Sequence, residues 1–375
     1  MNLEEIRKKI NSLDGELVRL LDERMKLSVL VAEDKIKSGA PVLCNEREKL
    51  VLDRIDSLID SNNHEIKTVM KSVMALSRII QYRQIIQSVK DLKILDIVRE
   101  AKGRKTEDRK IAFSGKSGSY AEAAAIKMYP QAEQFAGYQS FYDACMAVAE
   151  GEADIAVLPL ENTTAGTVNE VYDLLPLKKL YIVKSMSDSI FHSLLAVQGA
   201  RLEEIDTVIS HPQALSQCSN FIKRMGWKTV KSINTAYAAE EVALKGLRNL
   251  AAIGSEASAR AYGLNVIDKE INNEMCNQTK FIALSEEFKI EEQANKISLA
   301  FKLPHKPGSL AWILYMFAGL SLNLSKIQSR PITDRPWEYI FYADFLYDDE
   351  DNALQALYQL EQEVPEFYLL GWYRE

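Results

Sequence analysis

The first 38 residues carry an unbroken helical pattern. Apolar residues recur in steps of three and four over Leu3–Val31, which is the spacing of one face of an amphipathic helix. A glycine and a proline within Ser38–Pro41 supply a stop signal. The sequence therefore predicts one long first helix, a second from about Asn45 to a polar break at 60–63, and a third that runs to about Lys102.

A short charged segment, 103–109, follows the helical region and is nearly free of apolar residues, as is typical of a linker. Beyond it, short β-rich runs alternate with helical stretches, which predicts an α/β domain over 110–288. The predicted strands include 111–113, 155–160, 193–197, 207–210, 251–254 and 281–284. Region 295–375 has strand, helix, strand, strand, helix and strand signals, the order of an α+β ferredoxin-like sandwich. With 375 residues the chain is predicted to be multidomain, and its first domain, 1–102, to be all-α.

Composition limits the partners of the chain. A net charge of -7 argues against a nucleic-acid partner, because such proteins neutralise phosphates with clustered cations. Four widely separated cysteines indicate neither a zinc site nor a disulfide scaffold and favour a reducing cytoplasm. The most apolar window, 310–324, falls short of the roughly 20 residues that span a bilayer, and the N-terminus is too charged for a signal peptide. We therefore expect a cytoplasmic protein without a membrane partner.

Two cations interrupt the apolar stripe of the first helix. Arg24 stands one heptad after Leu17 and one before Val31, and Lys35 follows eleven residues later, three whole turns on, so both share a face. A buried cation needs a partner because an unpaired buried charge is costly. An ion pair with a neighbouring helix and a bound anion both satisfy that need, and the spacing leaves both open.

Further polar residues extend this pattern into the next two helices. Taken alone, Glu48 is explained as the capping-box partner of Asn45, and Gln81 as a solvated helix residue. Taken together, the constellation resembles the helical class of chorismate mutases over about the first 90 residues. It comprises Arg7, Arg24, Lys35, Glu46-Arg47-Glu48, Ser77 and Gln81. The resemblance implies an intertwined helical dimer that converts chorismate to prephenate by a Claisen rearrangement, without a cofactor.

The resemblance also implies roles. Substrate binding falls to Arg7, Arg24, Arg47 and Ser77, and catalysis to Lys35, Glu48 and Gln81. Arg7 and Arg24 are separated along one helix by about 25 Å, at roughly 1.5 Å per residue, which is too far for one small ligand. Arg7 is therefore expected to complete the site of the partner subunit in a homodimer or higher even oligomer. Cys44 stands where relatives often carry a carboxylate.

Four segments of the α/β region resemble prephenate dehydratases and occur in the family's order: Gly115–Tyr120, Leu158–Gly166, Ser210–Cys218 and Asn277–Phe281. The resemblance implies two lobes like those of a periplasmic binding protein, with the site in the cleft. It also implies that prephenate loses carbon dioxide and hydroxide to give phenylpyruvate.

By this resemblance Thr279 is the catalytic donor to the departing hydroxyl. Substrate binding is assigned to Glu161, Asn162, Thr163, Ser210, Gln217 and Lys280. Ser210 is also predicted to cap the helix that follows it. Lys280 stands where the family usually has Arg, and lysine cannot reproduce a bidentate carboxylate contact.

Two C-terminal segments, His305–Leu310 and Ile327–Pro331, resemble the phenylalanine-binding segments of ACT domains attached to dehydratases. They imply L-phenylalanine as an effector. The implied effector-binding residues are Gly308, Ser309, Leu310, Ser329, Arg330 and Pro331. Gln328 stands where a glutamate is common, and a domain that only dimerises is the alternative.

Two other functions fit parts of the sequence. The first is a two-lobed small-molecule binding protein, without catalysis, fused to helical and sensing modules. The second keeps the enzyme class but changes the substrate, because arogenate dehydratases share the same motifs. We expect neither a metal ion nor a cofactor.

Overall fold

A computed structural model describes residues 1–58, 64–89, 92–104, 108–274, 276–332 and 335–375, without the side chain of Pro336. Contacts divide the chain into two compact units. The first contains Met1–Ala101 and Asn295–Leu369, and the second contains Lys102–Ala294 and Leu370–Glu375. The first unit thus combines the predicted helical region with most of the predicted C-terminal region, a grouping that the sequence did not predict.

The N-terminal region is helical. Its elements are α1 (Leu3–Ser38), α2 (Asn45–Leu58), α3 (His64–Ser88) and α4 (Lys93–Lys102). The long first helix is confirmed: Asn2 caps its start by accepting a 2.9 Å hydrogen bond from the Glu5 amide, and Gly39 ends it at φ 71°. The third predicted helix was wrong in extent, because α3 and α4 are separate helices and neither glycine nor proline marks the interruption. The predicted break at 60–63 lies outside the described residues.

The α/β region contains two sheets, and all six predicted strands lie within or overlap observed ones. In chain order its elements are β1 (Lys110–Ser114), α5 (Tyr120–Met128), β2 (Gln134–Tyr138), α6 (Phe141–Ala149), β3 (Ile155–Asn162), β4 (Gly166–Thr167), α7 (Asn169–Lys178), β5 (Tyr181–Ser189), β6 (Ser193–Ala196), β7 (Thr207–Ser210), α8 (Pro212–Gln217), α9 (Ser219–Met225), β8 (Lys228–Lys231), α10 (Thr235–Lys245), β9 (Leu250–Gly254), α11 (Glu256–Tyr262), β10 (Asn265–Asp268) and β11 (Gln278–Ser285). Strand β8 was not predicted, because all its residues are exposed and its sequence therefore lacks apolar alternation.

Each sheet has its own apolar core and forms one lobe of the second unit. The first lobe has the strand order β5-β11-β3-β1-β2, with β4 paired to β3, and alanines of α5 pack against it. The second has the order β10-β6-β9-β7-β8 and is packed by α8, α9, α10 and α11. In the first lobe β11 runs antiparallel to β3, so that Thr279 lies opposite Asn162 at the end of β3.

The C-terminal region follows the predicted element order. Its elements are β12 (Lys296–Lys302), α12 (Ser309–Gly319), β13 (Asn323–Ile332), β14 (Arg335–Leu346), α13 (Glu350–Glu363) and β15 (Glu366–Tyr373). The strands are arranged β13-β14-β12-β15, and β14 runs antiparallel to both β12 and β13. From Leu370 onward β15 belongs to the second unit, where Gly371 pairs in parallel with Ile182.

Within the first unit, α3 packs against α12 and α13. Gln355 of α13 donates a 2.6 Å hydrogen bond to the carbonyl of Ile79, and the rings of Tyr82 and Tyr358 meet edge to face at 5.8 Å. Gly319 permits close approach, since a Cβ there would lie 2.8 Å from the Ile79 Cδ1. C-terminal helices therefore cover one face of α3, whereas only Ser28 and Ala32 of α1 are buried.

The most apolar window, 310–324, contains most of α12 and the turn after it. Among the described residues, no helix is both long and apolar enough to cross a membrane.

Candidate active sites

The cation Arg24 on α1 reaches α3. Its Nη1 donates to the Ser77 Oγ and, at 3.4 Å, to the Val73 carbonyl. Burial lowers the pKa of the Arg24 guanidinium, which still carries its charge at neutral pH. Among the described residues, no carboxylate forms an ion pair with Arg24, so the helix-helix ion pair that the sequence allowed is not formed. The cation remains available to an anion.

Lys35, the second cation of this face, lies near the start of α2. Its Nζ donates a 2.6 Å hydrogen bond to the Val42 carbonyl. Desolvation lowers the pKa of the Lys35 ammonium and the Arg78 cation lowers it further, whereas Cys44 and Glu48 act in the opposite direction. Lys35 therefore shares one electrostatic environment with Arg78 and Glu48.

Glu48 and Gln81 make contacts that their interpretations as a capping residue and a solvated helix residue did not include. Glu48, on the first turn of α2, forms an ion pair with Arg78 of α3. Gln81 is buried, so its reading as a solvated helix residue was wrong. Its Nε2 donates to the Ser77 carbonyl at 3.3 Å, and its Oε1 has no hydrogen-bond partner among the described residues. A buried amide oxygen without a partner is costly and suits a site that a ligand completes.

The remaining two cations of the constellation lie apart from this cluster. Arg47 is exposed on α2, although it precedes Glu48 directly, and Arg7 is exposed near the start of α1. The fold thus joins Arg24 and Gln81 to Ser77, and places Lys35 near Glu48 and near Arg78, the residue after Ser77 on α3. Arg7 and Arg47 are exposed.

A second polar cluster occupies the end of β3 in the α/β unit. Asn162, which is buried there, directs its Nδ2 to the Thr279 Oγ1 at 2.9 Å and to the Asn277 Oδ1 at 2.8 Å. Its Oδ1 accepts from the Thr164 amide at 3.0 Å. Thr279 thus accepts a hydrogen bond through its oxygen, and its own hydroxyl hydrogen is left to donate to another acceptor.

Gln217 of α8 links the second lobe to this cluster. Its Nε2 donates to the Thr164 Oγ1 at 2.5 Å, and its Oε1 lies 2.9 Å from the His192 Nε2 and accepts from the Asn277 Nδ2 at 3.2 Å. Burial lowers the pKa of His192, so its ring is neutral at neutral pH. A cavity of about 240 Å³ adjoins the link, lined by Thr164, Ala165, Gln213, Ser216, Gln217, Asn272, Asn273, Glu274 and Asn277.

Four predicted dehydratase residues, Ser210, Lys280, Glu161 and Thr163, lie in other surroundings. Ser210 is fully buried and donates to the Ile253 carbonyl at 2.6 Å, so it does not cap α8; His211 caps that helix instead by accepting from the Gln213 amide. The predicted cap was wrong because His211, not Ser210, occupies the cap position, and the Ser210 hydroxyl points to the Ile253 carbonyl of β9. Lys280 forms an ion pair with Glu375.

Lys280 lies opposite Glu161 on the neighbouring strand. Since successive strand residues point to opposite faces, Glu161 and Lys280 do not share the face of Asn162 and Thr279. Thr163 is exposed and donates to the Cys276 carbonyl at 3.3 Å.

Part of the predicted effector segment borders a cavity of about 310 Å³ at the start of α12. Gly308, Ser309 and Leu310 line it together with Leu303, Pro304, His305, Lys306, Ala311, Trp337, Tyr339 and Phe341. Ser329, Arg330 and Pro331 lie on β13 and are not among the lining residues. Across the described residues, no group of three or more His, Cys, Asp or Glu side chains is placed to hold a metal ion.

Comparison with known proteins matches the two regions that contain the polar clusters to enzyme families. The family described as chorismate mutase type II matches residues 6–82, and the prephenate dehydratase family matches residues 111–289. A bifunctional chorismate mutase/prephenate dehydratase of Escherichia coli K12 is 34% identical, and the alignment covers 98% of this chain and 95% of that protein. The chain belongs to the bifunctional chorismate mutase/prephenate dehydratase family. It therefore carries both activities and acts in phenylalanine biosynthesis, which decides against the reading as a binding protein without catalysis.

Two further relatives match about 70% of the chain. An arogenate dehydratase/prephenate dehydratase of Arabidopsis thaliana is 37% identical over 70% of this chain and 72% of its own length. The crystal structure of a prephenate dehydratase from Arthrobacter aurescens, in complex with L-Phe, has a TM-score of 0.65 and 29% identity, and covers 71% of this chain and 90% of its own.

Sequence reasoning missed several polar residues around the two clusters. Arg78 directly follows Ser77, but its partner Glu363 is 285 residues away, so no local pattern marks the pair. His192 stands outside the four dehydratase segments, and only its contact with Gln217 places it at the cluster. Asn277 lies within one of the four dehydratase segments. Its side-chain amide directly before β11 could have marked it as a candidate site residue.

Proposed function

We propose that Arg24, Lys35, Glu48, Ser77 and Gln81 form the chorismate mutase site. The main supporting observation is that Arg24 of α1 donates a hydrogen bond to Ser77, while Glu48 of α2 lies close enough to Lys35 to act on its pKa. A pericyclic rearrangement needs no nucleophile, so the site acts by holding a dicarboxylate in a compact conformation and stabilising charge that develops in the transition state. Arg24 holds a carboxylate, Lys35 and Gln81 face the ether oxygen, and Glu48 accepts from the ring hydroxyl.

A second copy of the chain completes this site in our proposal. The apolar face of α1 is exposed in the single chain, including Ile6, Ile10, Leu13, Leu17, Leu20, Leu27 and Val31. An exposed apolar stripe of this length is typical of a protein interface. Docking α1 of a partner on it brings a second Arg7 toward the cluster that lacks one.

Mixed oligomers test the shared site. An Arg7→Ala chain and an Arg24→Ala chain, each nearly inactive as a mutase, should regain activity when mixed, because one of the two hybrid sites then has both arginines. The control mixes two differently tagged Arg7→Ala chains, which can exchange subunits but cannot form a site that contains both arginines. If tag capture shows exchange but no mixture regains activity, the shared site is wrong.

For the dehydratase we propose that Thr279 donates its hydroxyl hydrogen to the hydroxyl that leaves prephenate. The bond from Asn162 to Thr279 Oγ1 supports this direction, since it occupies the oxygen as an acceptor. The C–C bond between the ring and the carboxylate breaks to release carbon dioxide, and its electron pair forms a ring double bond. The C–O bond breaks, the departing hydroxide takes the hydrogen of Thr279 to become water, and Thr279 regains a proton from solvent. Asn162, Gln217 and Asn277 orient the substrate through neutral hydrogen bonds.

Arogenate is a second candidate substrate for this site, because one close relative carries both dehydratase names. Arogenate has an amino group where prephenate has a keto oxygen. The ratio of the two kcat/KM values on the purified chain measures the preference. We propose that prephenate is favoured because the same chain produces it.

The C-terminal region is proposed to be an ACT domain that binds L-phenylalanine and lowers dehydratase activity. Three observations support it: the strand order, the cavity lined by Gly308, Ser309 and Leu310, and the L-Phe complex of a related dehydratase. Gly308 at φ 85° begins α12 without a side-chain cap, which leaves backbone N–H groups for a carboxylate. An effector acts by favouring one of two arrangements of the protein.

Calorimetry on the full chain tests the effector site. L-phenylalanine should bind the wild type, and Gly308→Ala should weaken binding because a side chain is strained at positive φ. Gly246→Ala is the matched control, since it has φ 65°, equal space and a position at the end of α10. Lack of phenylalanine binding to the wild type would remove the proposal.

We also propose a cytoplasmic location for the enzyme. All four cysteines, Cys44, Cys145, Cys218 and Cys276, are free thiols, as expected in a reducing compartment.

A further inference from the structure

Arg78 of α3 binds two carboxylates that come from distant parts of the sequence. Its Nη1 pairs with the Oε1 of Glu48 on α2, and its Nε lies 3.0 Å from the Oε1 of Glu363 at the end of α13. The Arg78 side chain is 9% exposed, Glu363 is 1% exposed and Glu48 is 30% exposed. The guanidinium thus connects a buried C-terminal carboxylate to a carboxylate at the edge of the mutase cluster.

Contacts from α3, α12 and α13 fix this arrangement. The Oε1 of Glu363 also accepts from the Gln359 Nε2 at 3.2 Å, and the Tyr82 hydroxyl interacts with the same carboxylate. The Trp312 ring lies 5.9 Å from the Arg78 guanidinium carbon, within cation-π range. Because guanidinium donors form a rigid planar fork, fixing one edge of Arg78 also fixes the direction in which its Nη1 points.

Four charged side chains meet around Arg78, and their charges balance only when Arg78 is present. Lys35 and Arg78 contribute two positive charges, and Glu48 and Glu363 contribute two negative ones. Without Arg78, Glu363 would be a buried carboxylate without its cation, and Glu48 would be free to pair with Lys35, whose charge the reaction is proposed to use. Removing one member of a buried pair is strongly destabilising, because the other charge stays buried.

We propose that Arg78 is a positioning residue of the mutase, which holds Glu48 toward the substrate and away from Lys35, and that Glu363 of the C-terminal helix anchors Arg78. The inference rests on the proposed role of Glu48. It makes α13 part of the support of the mutase site, so mutase turnover depends on a residue of the C-terminal region.

A double-mutant cycle between Arg78 and Glu48 tests this directly. Arg78→Met should lower mutase kcat roughly 10- to 100-fold with a smaller change in KM, because misplacement of a catalytic group acts on the transition state. In a Glu48→Gln background the same change should have almost no further effect, since residues that act as a unit are not additive. Equal losses in both backgrounds would overturn the inference.

The Glu48→Gln variant alone separates the two levels of the proposal. If it keeps normal mutase turnover, the role assigned to Glu48 falls. If it is impaired while Arg78→Met is normal, only the positioning role of Arg78 falls.

Loss of stability is separated from loss of positioning by replacing both buried partners. Arg78→Met combined with Glu363→Met removes both charges at once. Replacing a buried ion pair with apolar side chains of similar size costs far less stability than leaving one buried charge unpaired. We expect this variant to fold and to keep full dehydratase activity, but to have the low mutase kcat of Arg78→Met. Normal mutase kcat in the double variant would overturn the inference.

A conservative series completes the test. Glu363→Gln should lower mutase kcat several-fold, and Glu361→Gln, an exposed neighbour on the same helix, should leave it unchanged. Arg78→Lys keeps the charge but loses the fork and should retain an intermediate kcat. A Glu363→Gln enzyme that is less stable but has wild-type mutase kcat and KM would show a structural role only and would contradict the proposal.

Discussion

The mutase cluster is built from charges, whereas the dehydratase cluster is built from neutral amides, hydroxyls and an uncharged imidazole. The charged side chains of the mutase cluster are Arg24, Lys35 and Glu48. Asn162 and Gln217, by contrast, connect the second. Both clusters are proposed to bind substrates with two carboxylates, so substrate charge alone does not explain the difference.

The difference follows from what each reaction needs. Chorismate rearrangement moves charge within one molecule, and fixed cations beside a developing negative charge stabilise it strongly in a partly desolvated site. Prephenate breakdown is driven by aromatisation, and a buried cation near the departing carboxylate would hold that group back. A neutral network can orient the substrate and donate one hydrogen without this drawback.

The largest expected effect tests the neutral site. Thr279→Ala removes the proposed donor and should lower dehydratase kcat by roughly 10² to 10⁴, the range of lost proton-transfer catalysis, with mutase turnover little changed. Coupled assays with chorismate and with prephenate on one preparation measure both activities. Thr279→Ser keeps the hydroxyl and should retain more activity. Parallel loss of both activities, or near-normal dehydratase kcat, would show that Thr279 has been assigned wrongly.

The second effect tests the charged site. Lys35→Met preserves the length of the side chain but removes the cation, and it should lower mutase kcat about 100-fold, as loss of one preorganised electrostatic contact does. Lys37→Met, on an exposed position of the same helix, is the control and should have no effect. A mutase that tolerates Lys35→Met would weaken the view that charge is what distinguishes this site.

The mutase and dehydratase activities should also differ in their pH dependence, by less than the two substitutions above change kcat. Because burial lowers the Lys35 pKa below 10.5, the cation is lost as pH rises through that lowered value, and mutase kcat should decline at a lower pH than ordinary lysine titration predicts. The pKa of His192 is lowered from 6.5, so its ring stays neutral and dehydratase kcat should show no inflection near pH 6.5. Rate profiles of both activities from pH 5.5 to 10 measure this. An inflection of the dehydratase at pH 6.5 would contradict a neutral cluster.

The smallest effect concerns the charge that lies outside the neutral cluster. Lys280→Arg should change the dehydratase KM for prephenate at most about two- to fivefold, because Lys280 lies on the opposite face of β11 from Thr279 and is paired with Glu375. Its kcat and both mutase constants should stay the same. A large change in kcat would place Lys280 in the reacting cluster and would erase the proposed contrast.

The sequence predicted what local patterns control. Apolar periodicity and Gly39 defined α1, and the element order of the C-terminal region was predicted from alternating strand and helix signals. Predictions failed where distant groups compete. Ser210 has the residue type of a helix cap, but the Ile253 carbonyl on a neighbouring strand takes its hydroxyl. Arg78 could not be recognised because its environment is made by a helix that begins more than 250 residues later.

The packing of α13 on α3 also sets an order for synthesis. Arg78 leaves the ribosome 285 residues before Glu363, which at roughly 5 to 20 residues per second is a delay of roughly 15 to 60 s. During that interval one face of α3 has no cover and the Arg78 cation has no buried anion. We expect the nascent helical region to stay loosely packed, and open to chaperones, until the last hundred residues have emerged. The part of the α/β unit that precedes Asn295 can therefore fold before the helical region ahead of it in the sequence is finished, and only Leu370–Glu375 are added to that unit later.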